Sequence, residues 1–280
     1  MTEIVLVPRD ALQGTVVGIS VSDSADLARL GLTQAHCEQA VAELARAIFI
    51  AGGTIVYAGR LMPSGFTDIL LDELRRYRAD RNALVLCVPE TEHRRLSDDE
   101  LQRRERELHS SAELVCLDAN GEPIDINDRP DEPDEADPAS ALTVVRQYIT
   151  RRCDARVLVG GRLRGFQGSM PGIIEEAIMS IKASQPLYTA GGFGGAASAI
   201  TAAVGHDDQT WFPPNYPEGA EDHAELLSDL SRQARAAAPI EDGLSSAERL
   251  QLAASHRPGD ISSLVVTGLG RRAGWSRPRA

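Results

Sequence analysis

Residues 156–197 read RVLVGGRLRGFQGSMPGIIEEAIMSIKASQPLYTAGGFGGAA, and this stretch decides the fold. Its first segment, Arg156 to Gly160, is a short apolar run rich in β-branched residues, the pattern of a strand covered on both faces. Pro171 to Ala183 reads as a helix. Pro171 suits the first helical position, where no backbone N–H is needed, and Ile174, Ala177, Ile178 and Ile181 recur at the spacing of one buried stripe. Pro186 to Ala190 is a second short strand. Strand, helix and strand in so short a span make a βαβ unit, which requires parallel strands bridged by a helix. A glycine-rich turn follows each strand, Gly160 to Gly172 after the first and Gly191 to Ala197 after the second.

Working outward, the same alternation precedes this unit. Val16 to Ser22 is β-rich and leads to a helix from Thr33 to Ile50, with Thr33 as its cap and Val41, Leu44, Ala45 and Ile48 on one buried face. Gly52-Gly53 stop it, and Thr54 to Ala58 is the next strand. The loop Gly59 to Thr67 ends on an expected N-cap, Thr67, for a helix through Arg76; Ala83 to Val88 is a further strand. Ser97 to His109 reads as a charged surface helix, Glu113 to Leu117 as a short edge strand, and Ala139 to Arg152 as a helix. The expected fold is α/β, a doubly wound, mostly parallel sheet with helices on both faces. It occupies a domain of residues 1–205, and an acidic, Pro-rich loop spans 118–138. Residues 206–280 read as a C-terminal extension packing on that core, with helical character at Ala224 to Ala238 and Ser245 to Ser255 and a strand at Ile261 to Thr267. Trp211-Phe212-Pro213-Pro214 either lines a pocket or covers the sheet edge.

Composition narrows the function classes. Hydrophobic residues make up 42% and charged residues 25%, which is ordinary for a folded globular chain. The formal net charge of -12 argues against nucleic acid as the main partner, because phosphate backbones are held by clustered Lys and Arg. A small anion remains compatible with that charge, since backbone amides can hold it locally. No apolar run approaches the roughly 20 residues that cross a bilayer, and the N-terminus lacks a secretory pattern, so a cytoplasmic protein with no membrane partner is expected. Cys37, Cys87, Cys116 and Cys153 show no CxxC spacing and read as buried thiols. The six histidines show no ligand spacing, so neither a metal site nor a cofactor is expected.

The glycine-rich turns carry the expected chemistry. Missing side chains let backbone N–H groups approach a ligand, and the following helix N-terminus adds partial positive charge, which together favour phosphate. Around the turn that follows Val159, the expected ligand-binding residues are Gly160, Gly161, Arg162, Gly165, Gly168, Ser169, Gly172 and Glu175; the next turn adds Gly191, Gly192, Gly194 and Gly195. Gly59, Arg60, Gly65 and Thr67 after the second strand, with Ser20 and Ser22 at the end of the first, complete the set. In open α/β sheets such loops share one crevice. Arg60 and Arg162 stand in similar contexts, YAGRL and VGGRL, and the echo extends to Gly65-Phe66 and Gly165-Phe166. Either arginine serves phosphate recognition or a structural ion pair equally well. Glu175 and Glu176 suit a general acid or base, yet carboxylates near a helix start are also favoured by the dipole; of the two, Glu175 is the candidate. Gly192, Gly194 and Ala197 match G-x-G-x-x-A, but on a late strand with no acidic strand end about twenty residues on, which disfavours an ordinary NAD dehydrogenase.

The combination AGGTIVYAGRLMPSGFT, VLVGGRLRGFQGSMPGIIEEA and PLYTAGGFGGAA resembles the SLOG superfamily, named for its Smf/DprA and LOG members, over roughly Thr15 to Val204. It looks nearest to the prokaryotic branch similar to the N-terminal domains of TRPM channels. The resemblance implies a Rossmann-like sheet and a ligand of the nucleotide or ADP-ribose class. Relatives include sensors of cyclic ADP-ribose variants in bacterial antiphage defence and LOG enzymes that split ribose 5'-phosphate from a base. The enzymes carry Pro-Gly-Gly-x-Gly-Thr-x-x-Glu. Here Gly168 and Glu175 match, whereas Gln167, Ser169, Pro171 and Gly172 replace the Pro, second Gly, third Gly and Thr. Three functions follow: sensing of an NAD-derived ligand by a homo-oligomer, in defence or stress signalling; phosphoribohydrolysis with Glu175 and Arg162 as the catalytic pair; and a ligand-free assembly module.

Overall fold

The computed structural model describes residues 8–60, 65–78, 81–109, 112–125, 137–205, 216–237 and 240–274. Seven strands form one sheet: β1 (Val16–Ser22), β2 (Thr54–Ala58), β3 (Leu84–Pro89), β4 (Glu113–Leu117), β5 (Pro123–Ile124), β6 (Ala155–Gly160) and β7 (Leu187–Ala190). They lie in the order β5-β4-β3-β2-β1-β6-β7. All neighbours are parallel except β4 and β5. Short apolar strands of this kind need both faces covered, and consecutive residues duly go to opposite cores: Ile55 and Val56, Leu86 and Cys87, Val157 and Leu158.

The helices are α1 (Gln34–Ile50), α2 (Phe66–Tyr77), α3 (Glu90–His93), α4 (Asp98–His109), α5 (Pro138–Arg152), α6 (Gly172–Lys182), α7 (Gly195–Ala203), α8 (Ala224–Ala236), α9 (Ser246–Ala254) and α10 (Pro258–Arg272). On one face α1, α2, α4, α9 and α10 bury their apolar stripes in a common core. On the other, α5 packs over β2, β3 and β4, while α6, α7 and α8 pack around Leu158 of β6. The sheet is therefore doubly wound. The chain builds outward from β1 through β4, then returns to the opposite side of β1 for β6. Strand order reverses at β1, the place where doubly wound sheets open a crevice at their carboxyl ends. Among the described residues, no helix is long and apolar enough to cross a membrane.

Three local expectations are corrected. Ile261 to Thr267 is not a strand but the middle of α10. Pro258 starts that helix, and Ile261, Leu264, Val265 and Leu269 are buried at helical spacing in the core that α1 shares. Packing outweighs their β-branched composition, and Gly268 lets the helix come close: a Cβ there would lie 2.8 Å from Tyr188 and 2.7 Å from the Asp242 carbonyl. Thr67 does not cap α2, which begins one residue earlier after Gly65; its hydroxyl instead accepts the Arg60 N–H at 3.2 Å. Nor does β4 end the sheet. The Asp118 carboxylate accepts the N–H groups of Asn120 and Glu122, at 2.9 and 2.8 Å, folding the chain back so that β5 pairs with β4. Residues 126–136 of the acidic stretch and the Trp211 to Pro214 segment lie outside the described residues.

The C-terminal segments complete the core. Helix α10 packs along α1, α8 along α6 and α7, and α9 against β7.

Candidate functional site

A cleft of about 460 Å³ opens at the carboxyl ends of β2, β1 and β6. Ser20, Ser22 and Asp23 enter it from β1, and Tyr57, Gly59 and Arg60 from β2. Gly65, Phe66 and Thr67 line it at the start of α2, with Glu92 and Arg95 beyond β3. Arg146 reaches it from α5, and Arg162, Gly165, Phe166, Gly172 and Glu176 reach it from the turn and helix that follow β6.

Its floor rests on a buried charge. Arg156 on β6 has no exposed surface, and every guanidinium nitrogen is used. Nε donates to Ser180 Oγ at 2.9 Å and Nη2 to Thr150 Oγ1 at 2.8 Å, while Nη1 donates to Ser20 Oγ at 3.0 Å and to Glu176 Oε1 at 3.1 Å. A buried guanidinium is tolerable only when so paired. Its anchoring of Oε1 leaves the other Glu176 oxygen as an acceptor, and Ser20, having accepted from Arg156, keeps its own O–H to donate. Burial first, and then the Glu176 charge, push the Tyr57 phenol well above its ordinary range, so it stays protonated as a donor.

The walls carry guanidinium groups. Arg162 is exposed and paired with Asp23, and its backbone N–H donates to Ser22 Oγ at 3.3 Å. Arg95 pairs with Glu92 at 2.7 Å. Arg146 pairs with Glu175, whose Oε1 also accepts from Thr143 Oγ1 at 2.6 Å. Arg60 makes no ion pair among the described residues.

The residues expected from the sequence divide. Ser20, Ser22, Gly59, Arg60, Gly65, Thr67, Arg162, Gly165 and Gly172 come together on the cleft. Gly160, Gly161, Gly168, Ser169, Glu175, Gly191, Gly192, Gly194 and Gly195 are not among its lining. Several of these glycines admit protein rather than ligand. Gly161, at φ +106°, would set a Cβ 2.7 Å from Ile173 and 2.9 Å from Ala196, so it lets β6 turn against α6 and α7. A Cβ on Gly191 would lie 2.5 Å from the Ala253 carbonyl, where α9 ends. Glu175 faces Arg146 and Thr143 on α5, while Glu176, one residue on, faces the cleft.

A sequence model described as SLOG cluster2 matches residues 11–252. The chain belongs to the SLOG cluster2 family. None of the curated proteins matches the sequence. SLOG membership points to nucleotide-related binding or processing. Within this SLOG protein the sequence expectations missed Glu176 as the inward carboxylate, and with it Arg156, Arg146 and Tyr57. Arg156 had a readable signal, since a lone charge inside the apolar run ARVLVG requires buried partners. Arg146 had none, because an arginine on an amphipathic helix usually faces solvent. The four thiols are free and buried, and burial pushes Cys37, Cys87 and Cys116 up to about 12, which leaves them without nucleophilic character at neutral pH.

Proposed function

We propose that this SLOG protein binds and senses a nucleotide-derived ligand in the cleft at β2, β1 and β6, of the class of ADP-ribose, cyclic ADP-ribose or a related NAD-derived molecule. One observation carries the reading: the cleft has a carboxylate anchored at its floor and guanidinium groups on its walls. A phosphorylated ribose matches both, its hydroxyls donating to Glu176 and its phosphate accepting from Arg60 and Arg162. Tyr57 and Ser20 supply donors beside the sugar. Sensing then requires that binding shift a conformation or a state of assembly. A role in antiphage defence or stress signalling rests on the resemblance to cyclic ADP-ribose sensors.

The inward position of Glu176 favours a second reading, a phosphoribohydrolase. The carboxylate would take a proton from water attacking the anomeric carbon and stabilise positive charge there, while the C–N bond breaks and that proton passes on to the departing base. The products are free base and ribose 5'-phosphate.

Calorimetric titration with ADP-ribose, its cyclic forms, NAD and AMP tests the binding reading, which predicts heat and a thermal shift with at least one of them. Silence with all four refutes it. Chromatography of the same mixtures separates the readings: release of base that disappears in Glu176→Gln establishes the hydrolase, and tight binding without turnover establishes the sensor.

A further inference from the structure

The segments after β2 and β6 bring the same pair of side-chain types to the two sides of β1. Ile19 of β1 pairs level with Tyr57 on one side and with Val157 on the other. From these level positions both segments pass an arginine, Arg60 or Arg162, and reach Gly-Phe at the same distance, 57 to 66 and 157 to 166. Gly65 and Gly165 both turn at positive φ, +75° and +65°, and a Cβ on either would meet nothing within 4 Å. Here glycine is favoured by the positive φ itself rather than by a close neighbour. Afterwards the arms differ: Phe66 opens α2, whereas Phe166 stays in the loop.

Both arginines, both glycines and both phenylalanines line the one cleft. Since β2 and β6 run parallel to β1 on either side, both arms leave the sheet at the same end. A ligand with one base and one phosphate needs a single arm. Phe66 packs partly on the core, but the only ring contact of half-buried Phe166 among the described residues is His223, with centroids 5.8 Å apart and planes tilted by 57°. Between the arms stands Ser22, whose hydroxyl accepts from the Arg162 N–H and keeps a proton to donate.

We propose that the cleft takes a two-headed ligand, two flat ring systems joined through phosphate, with one ring against Phe66 and the other against Phe166. The joining phosphates lie over the end of β1 between Arg60 and Arg162. This rests on the nucleotide reading of the cleft and names the class within it. Ring stacking on phenylalanine tolerates any base, and guanidinium groups favour the charged bridge, so the arms select for architecture more than for base identity.

The test uses the whole chain and three probes in calorimetry: AMP, ADP-ribose and diadenosine diphosphate. Diadenosine diphosphate is expected to bind at least tenfold tighter than either single-base probe. Phe66→Leu and Phe166→Leu, which keep apolar bulk and are checked for an unchanged melting temperature, should each lower that affinity about tenfold, while AMP loses affinity in only one of them. If the three probes bind wild type within about threefold, or only one phenylalanine matters for diadenosine diphosphate, the cleft is single-headed and the proposal falls while the nucleotide reading stands. If none of the three binds wild type, this proposal falls, and ADP-ribose and AMP count against the nucleotide reading as well.

Discussion

Asp26 Oδ2 accepts the backbone N–H of Gly195 at 2.8 Å, at the first residue of α7, and Asp26 Oδ1 accepts that of Glu218 at 3.0 Å. The carboxylate is fully buried. It joins the loop after β1, the glycine turn after β7 and the C-terminal extension. A helix N-terminus behind a glycine turn attracts an anion, and here the protein supplies its own. Gly194 gives it room, since a Cβ there would lie 2.5 Å from that of Asp26. Asp26→Ala leaves the buried Gly195 N–H and the part-buried Glu218 N–H without their acceptor and should lower unfolding stability by about 1–4 kcal/mol. Urea denaturation of Asp26→Ala, with Asp26→Asn retaining part of the loss, measures this; a change below about 0.5 kcal/mol would mean the tie is not structural.

Arg156→Met leaves the Glu176 carboxylate buried without its cation and should cost about 3–5 kcal/mol. Adding Glu176→Met removes the orphaned charge and should restore part of that loss. The double-mutant cycle on unfolding free energies gives the coupling directly, and additive single effects would show that the pair does not act as a unit.

Arg60 is exposed, and its loss should leave stability within about 0.5 kcal/mol. Arg60→Ala should nonetheless weaken AMP binding roughly tenfold, at a charge-assisted hydrogen bond, while leaving adenosine unchanged. The AMP difference should shrink as salt is raised. Equal losses for AMP and adenosine would place Arg60 away from the phosphate.

Glu175→Gln and Glu176→Gln should have opposite signatures. The first removes the charge paired with Arg146 between α5 and α6, and should lower the melting temperature with a smaller effect on affinity. The second should reduce ligand affinity about tenfold or more, through the floor of the cleft. Thermal melts and titrations on the same preparations separate the two.

Glu248 links α9 to α10. Arg271 donates to both its oxygens, at 2.8 and 3.0 Å, and the Ser245 N–H and hydroxyl add two more bonds; together they hold it at about 2, below its ordinary 4.5. A carboxylate lowered on folding stabilises the native state above its ordinary range, and that contribution is lost as pH falls from about 4.5 toward 2. Glu248→Gln should therefore cost about 1–3 kcal/mol at pH 7 and nothing near pH 2. A difference independent of pH would show that the ion pair is not its source.

Much of the architecture was legible because it is local. Val16–Ser22, Thr54–Ala58 and Glu113–Leu117 are strands where the apolar runs stand, and α1 and α6 follow their hydrophobic stripes to within a residue. Ile261 to Thr267 reads as a strand yet lies within α10, because Ile, Val and Thr suit both patterns in so short a window and only packing against α1 selects the helix.

The sequence by itself determined the alternation of strands and helices, the glycine turns at strand ends and the convergence of Arg60 and Arg162 on one edge, since each follows from periodicity and the parallel connections it imposes. Tertiary structure alone decided which of these groups line the cleft. On α6, adjacent residues point about 100° apart, so Glu175 faces Arg146 of α5 and Glu176 the cleft, a difference that depends on how the helix is rotated against its neighbours. Likewise the turn at Gly191 to Gly195 is glycine-rich because Asp26 and the end of α9 press against it, and both come from segments far away in the chain.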